Sequence, residues 1–254
     1  MNVASLKGFV LPAATLAALE VLAQTRGIQS DSIAAPSAIA LAFVEAVGDG
    51  SLAKATLDTL ISAFAGLGIG AAIGLAVGII LGVWRSVDRL SEVTVEAIRP
   101  IPSVALLPLA LIALGFGYRL EIAIVGFACF WPLLILSRAA VRAVEPRLIE
   151  VSRAMCLSAD QRVAKIVIPA ALPRIFVAFR LAAGIALIVA VTVEIAINPL
   201  GLGHAIMTAQ QALRPDLMLA YLVWLGVVGV ALNSGLVLAQ AKLFGRAALV
   251  EEPR

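Results

Sequence analysis

Reactive side chains are scarce in this sequence, and their spacing excludes most catalytic chemistry. The four lysines are Lys7, Lys54, Lys165 and Lys242, and none follows a glycine. A phosphate-cradling loop needs Gly-Lys-Ser/Thr, so the chain cannot hydrolyse ATP by that route. His204 is the only histidine, which leaves no histidine pair for a zinc site, and no Gly-x-Ser-x-Gly offers a nucleophilic serine. No catalytic residue, resident cofactor or metal is therefore expected. Cys129 and Cys156 are too few for a disulfide framework, and Cys129 sits in an apolar run, so both are expected to be free thiols. Two ionisable residues lie deep in apolar sequence, Arg180 and Glu194. Along one helix they stand about 21 Å apart, too far for an ion pair. Arg180 falls about one turn from the inner interface, placed to snorkel to headgroups or to reach a loop beneath the membrane. Glu194 falls near the outer mouth, where it would bond backbone or gate a pathway. Facing an anion it would repel it, so direct ligation is not expected.

The elements that hold these residues must be membrane helices. Of the 254 residues, 62% are hydrophobic and 14% charged, with a mean hydropathy of +1.05. Soluble domains run at about 45–50% apolar and about 25% charged. Lipid must be the solvent, which excludes a disordered chain, a disulfide scaffold and a soluble nucleic-acid binder. The net charge of +3 then reads as basic cytoplasmic loops rather than as a nucleic-acid surface. A crossing helix needs about 20 mostly apolar residues. Six runs qualify, approximately 8–24, 60–84, 101–117, 120–137, 175–197 and 217–241, making a single all-α transmembrane domain over 1–254. The first is short and carries Glu20. No Ala-x-Ala cleavage site directly follows it, so a retained anchor is expected rather than a signal peptide.

Orientation follows from Lys and Arg. With the N-terminus inside, fourteen of them fall on the inner side. Four, Arg26, Lys54, Arg119 and Arg214, fall outside. This is a positive-inside pattern and puts both termini in the cytoplasm. Residues 36–47 suit an amphipathic surface helix with Pro36 in its first turn. Residues 85–99 suit a helix at the inner interface, broken by Pro100 and Pro102 before the third span. Gly66, Gly70, Gly74, Gly78 and Gly82 recur every four residues, a ridge for close helix packing, with a glycine-lined pore as the alternative.

The longest charged segment is the inner loop 138–174. Pro146 suits a first helical turn, Ser158 can cap a second helix, and Pro169 is expected to end it. Two short helices joined near Cys156 would form an elbow able to transmit force from a partner. This loop resembles the Glu-Ala-Ala loop of ABC-importer permeases, whose pattern is Glu-Ala-Ala, three residues, Gly, nine residues, Ile-x-Leu-Pro. Glu150-Val-Ser occupies the first three positions, Cys156 the glycine position, and Ile166-Val-Ile-Pro169 the end. Val151, Ser152, Cys156 and Ile168 depart from the pattern. If the glycine serves a positive φ, Cys156 costs ~1–2 kcal/mol there.

The resemblance extends along the chain. Arg99-Pro-Ile-Pro-Ser-Val-Ala-Leu-Leu-Pro108, Gly115-Phe-Gly117, Leu172-Pro-Arg-Ile-Phe-Val-Ala-Phe-Arg180, Glu194 and Gly201-Leu-Gly203 resemble the nitrate, sulfonate and taurine permeases. It implies a type I ABC-importer permease in a bacterial inner membrane. The implied partners are a second permease copy or sibling, two ATPase subunits that use ATP and Mg²⁺, and a periplasmic or lipid-anchored solute-binding protein. Glu150, Arg153, Ala154, Cys156, Ser158 and Arg162 would couple to the ATPase. Arg180, Glu194, His204 and Gln210 would line or gate the pathway. The expected solute is a small anion such as a sulfonate, nitrate or related organic acid, with a small heterocycle as the alternative. Two rival classes remain: an ion-coupled transporter, which needs several buried ionisable groups, and an intramembrane hydrolase, which would turn over substrate alone.

Overall fold

The computed structural model of the chain describes residues 14–15, 17–23, 25 and 34–245. Of the first candidate span, 8–24, residues 14–15 and 17–23 are described and are helical; residues 1–13 and 246–254 lie outside the described residues. The described elements are helices: α1 (Pro36–Gly48), α2 (Ser51–Val83), α3 (Arg85–Ile98), a 3-10 turn (Ser103–Leu106) leading into α4 (Leu107–Leu114), α5 (Tyr118–Arg142), α6 (Pro146–Ala154), α7 (Ala159–Arg162), α8 (Ile168–Ala196), α9 (Gly201–Gln211) and α10 (Pro215–Phe244). Four of these stretches are long and apolar enough to cross a membrane, or five if the bent pair of α3 with the 3-10 turn and α4 is one span.

The pair α2 and α5 forms the centre of the bundle, and the glycine ridge is the reason. A Cβ at Gly66 would lie 2.6 Å from Val125 Cβ, at Gly70 2.6 Å from the Gly126 carbonyl, and at Gly74 2.7 Å from the Phe130 carbonyl. At Gly78 it would overlap Ser137 Oγ, and at Gly82 it would lie 2.7 Å from Val141 Cβ. All five face α5. The ridge is a packing seam, not a pore lining. Against its other side α8 lays Ala178, Ala182, Ala183, Ala186 and Ala190, small residues that close a core with Leu67, Cys129 and Leu133.

Four expectations need correction. The run 101–117 does not cross by itself: α4 has 8 residues, about 12 Å, and the chain bends by 75° between α3 and the turn that precedes α4. Pro100 and Pro102 cause the break, so any crossing here is shared between a polar α3 and an apolar α4. Second, Pro169 does not end the loop helix. Residues Val163–Val167 form a π-helical stretch, and Pro169 falls in the first turn of α8, where a missing N–H is tolerated. Third, α2 begins at Ser51, nine residues before the apolar run, because its polar residues have partners. Trp224 Nε1 donates to Thr56 Oγ1 at 2.8 Å, and the Tyr118 hydroxyl donates to Asp58 at 2.6 Å. Likewise α1 does not simply lie on a surface. Ala42 and Ala46 are buried, and Phe43 packs its ring 5.7 Å from that of Trp224 on α10.

Candidate functional site

At one end of the bundle, α6 and α7 form the expected elbow. The α6 terminus closes as a Schellman motif: Leu157 N–H donates to Ser152 O at 3.1 Å and Cys156 N–H to Arg153 O at 2.9 Å. That closure demands a left-handed residue between them, and Cys156 supplies it at φ 54. The positive-φ requirement at the glycine position is therefore real in this chain. Ser158 then starts α7 through a capping box, accepting from Gln161 N–H at 3.3 Å while Gln161 Oε1 accepts from Ser158 N–H at 3.2 Å.

The elbow is fastened to the bundle on one side and open on the other. Ile149 and Val167 pack against Val141, Ala171 and Ile175. Buried Ser152 donates to Ile149 O at 2.6 Å. Asp88 on α3 accepts from Arg138 at 2.9 Å and from Arg142 through its other oxygen, and Arg174 donates to Ala143 O at 3.0 Å. Facing outward are Glu150, Arg153, Ala154, Cys156 and Ser158, together with the apolar Leu148, Val151 and Met155. Arg162 is half-buried, and its Nε has no hydrogen-bond partner. A mixed apolar and charged surface of this kind, held rigid by two caps, is suited to docking.

At the other end of α8 lies a polar knot that the sequence pattern only half revealed. Glu194 is 1% exposed and accepts from Gly203 N–H at 2.7 Å in the first turn of α9. Its carboxylate rests against Gly201, where any Cβ would overlap it, so Gly201 (φ 83) and Gly203 leave room for an acid at a helix N-terminus. Thr59 accepts from Leu202 N–H at 2.8 Å. Glu121, wholly buried in α5, accepts from Asn198 Nδ2 at 2.6 Å, and Asn198 Oδ1 accepts from Gly117 N–H at 2.8 Å. Glu121, Asp58 and Asn198 were not singled out by the sequence pattern. The available signal was Glu121 inside the apolar run 120–137.

The remaining pathway candidates are dispersed. His204 and Gln210 are exposed on α9, His204 lying 3.4 Å from the Thr208 hydroxyl. Arg180 lies near the middle of α8, which starts at Ile168, and its Nε donates to Asn233 Oδ1 on α10 at 3.2 Å. In the α9–α10 turn, Arg214 bonds Asp216 at 3.1 Å and Glu45 at 3.2 Å, and these acceptors, Asp216 first, raise its guanidinium above the usual range. Between the α3–α4 bend, α5 and α8 runs an open groove of about 470 Å³, lined by Arg99, Ser103, Trp131, Pro132, Leu181 and Ile185. Arg99 forms no ion pair among the described residues.

Residues 70–248 match the family described as "Binding-protein-dependent transport system inner membrane component". A protein of Bacillus subtilis named as an aliphatic sulfonates transport permease is 29% identical over 94% of this chain and 86% of its own length. An ABC transporter permease protein of Methanocaldococcus jannaschii is 32% identical over 78% of this chain and 74% of its own. A bicarbonate transport system permease of Synechococcus elongatus is 31% identical over 70% of this chain and 64% of its own. Among solved structures, an inward-facing MetNI methionine ABC transporter chain superposes with a TM-score of 0.66 at 23% identity, over 76% of this chain and 93% of that one.

Proposed function

The chain belongs to the family of binding-protein-dependent transport system inner membrane components, and from that premise we propose that it is the permease subunit of an ATP-driven importer for a small organic or inorganic anion. Its membrane helices and multi-pass character follow from the family and the fold. The solute class is carried over from relatives named for sulfonates, taurine, nitrate and bicarbonate. Arg99 fits that class, because an unpaired guanidinium at the edge of an apolar groove whose lining includes no acid attracts an anion. Two copies, or one copy and a sibling, would face each other across the pathway. Two ATPase subunits would grip the elbows, and a solute-binding protein would dock on the opposite rim.

The observation that carries the mechanism is the doubly capped elbow at residues 146–162. It ends in a π-helical stretch that continues directly into α8. A displacement of the elbow by a closing ATPase would therefore be delivered along α8, about 43 Å in length, to Glu194 and the α9 rim. That is the lever that alternating access requires: ATP-driven closure opens the pathway outward, and hydrolysis resets it inward. The test is Glu150→Lys. Glu150 is exposed on α6 and bonds nothing in the elbow. The variant should insert and fold normally, yet lose most of its yield in an ATPase pull-down. It should also lose solute uptake in liposomes with the binding protein, because reversing a docked charge costs about 2–5 kcal/mol. Normal co-purification and uptake would remove the elbow from the docking surface.

A further inference from the structure

Glu121 and Glu194 are the most deeply buried acids among the described residues, at 0% and 1% exposure. They come from different spans, α5 and α8, and their carboxyl groups neighbour each other. Each has one oxygen engaged, Glu121 Oε2 by Asn198 and Glu194 Oε2 by Gly203 N–H. On each, the second oxygen, Oε1, is buried with no hydrogen-bond partner, and the buried Ser62 hydroxyl lies beside Glu121.

No cation answers this pair. From α2 comes Asp58, itself bonded by the Tyr118 hydroxyl of α5. Arg119 of α5 turns away into a groove with Ile69, Ile73 and Ile122. From α9 comes His204, exposed and beside Thr208, and from α10 Tyr221, bonded to Ser51. The α4 helix, LPLALIAL, contributes no titratable group. No Lys or Arg among the described residues forms an ion pair with either glutamate.

Two adjacent carboxylates removed from water cannot both stay ionised, since desolvation and mutual repulsion both act against the second charge. Either a proton or a metal cation must be present. The surroundings discriminate. Glu194 sits at the N-terminus of the 11-residue α9, where the dipole and the Gly203 N–H favour an anion and oppose a second cation. We infer that Glu121 and Glu194 bind a single proton between them, Glu121 as the acid donating its O–H to Glu194 Oε1. This O–H···O link joins α5 to the end of α8 and so fixes the rim at that end against the central helix pair. It satisfies both orphan oxygens, since the proton resides on Glu121 Oε1 and is accepted by Glu194 Oε1.

The link is lost when the proton is lost. The folded chain holds a proton that the unfolded chain releases at neutral pH, so stability must fall as pH rises through the pair's deprotonation. Infrared spectroscopy of the purified chain at neutral pH should show the carbonyl stretch of one protonated carboxylic acid per chain. In Glu121→Gln the amide keeps the shape and a donor toward Glu194 but carries no acid proton. That variant should fold, lose the band, and lose the alkaline fall in melting temperature. A wild-type spectrum without the band, or a band that survives in Glu121→Gln, overturns the assignment. If Glu121→Gln does not fold, titration of the wild-type chain decides. Disappearance of the band in the same pH window as the melting-temperature drop supports the shared proton. A drop without a spectral change overturns it, as does stabilisation that depends on sodium rather than pH.

Discussion

Cys156 holds the left-handed position of the elbow with a side chain ill suited to it, since a Cβ at positive φ costs about 1–2 kcal/mol. Replacing it by glycine removes that strain but gives the unfolded chain more freedom, worth about 0.5–1 kcal/mol the other way. Cys156→Gly should therefore stabilise the elbow by up to about 1 kcal/mol. Cys156→Val, whose branched Cβ tolerates positive φ worst, should destabilise it by about 1–2 kcal/mol. Limited proteolysis between Ala154 and Ala159 measures both, and identical cleavage rates in the three proteins would show that φ at this residue does not limit the elbow. The importance of this position was legible because it rests on spacing: Glu150, Cys156 and Pro169 keep their separations whatever replaces the glycine. Glu121 was not legible in that way. Its partners Asn198 and Glu194 lie more than seventy residues along the chain, so nothing local marks it as one half of a pair.

At the scale of the element, the glycine ridge of α2 was fully readable, because a four-residue period is a local property and small residues on one helical face have few other uses. The break at α3–α4 was readable only as a pair of prolines. Whether Leu107–Leu114 crosses alone depends on how far the chain bends, which no local pattern encodes. The start of α2 was missed for a related reason, since Thr56, Asp58 and Thr59 look like loop residues until Trp224, Tyr118 and Leu202 arrive to bond them. The ridge supports a sharp contrast between neighbouring glycines. A Cβ at Gly74 meets the Phe130 carbonyl and lies 3.1 Å from Leu133 Cβ, whereas one at Gly68 meets nothing within 4 Å. Gly74→Val must push α2 from α5 and should lower stability by about 1–3 kcal/mol or more. Gly68→Ala should leave the seam intact and gain up to about 1 kcal/mol in helix propensity. Thermal unfolding in detergent separates them: Gly74→Val should melt lower and Gly68→Ala no lower than wild type. Equal melting of the two would mean that the seam tolerates a gap.

Across the whole molecule, the charges at the two ends of the bundle set the expected orientation. The end that holds the elbow carries Arg138, Arg142, Arg147, Arg153, Lys165 and Arg174, with Asp88 clamping only the first two. The α9 end carries Lys54, Arg119 and Arg214 beside Glu45, Asp49 and the buried acids. Basic residues near span ends resist translocation, so the elbow is expected in the cytoplasm and the α9 rim outside. Single cysteines at Ser158 and Thr208 test this, because both positions are exposed and lie beyond opposite ends of α8. The background replaces Cys129 and Cys156 by alanine. Cys129 is fully buried and donates only a weak bond to Ala182 O at 3.4 Å, so its loss should be mild. Exposed Cys156 is removed because it would itself react. In intact cells the cysteine at Thr208 should react with a membrane-impermeant maleimide, and the one at Ser158 only after permeabilisation. The opposite pattern would invert the molecule, moving the elbow away from any cytoplasmic ATPase and the α9 rim away from any external delivery protein. Because α8 is a single helix between the two positions, one inverted label is enough to reject the orientation for the central bundle as a whole.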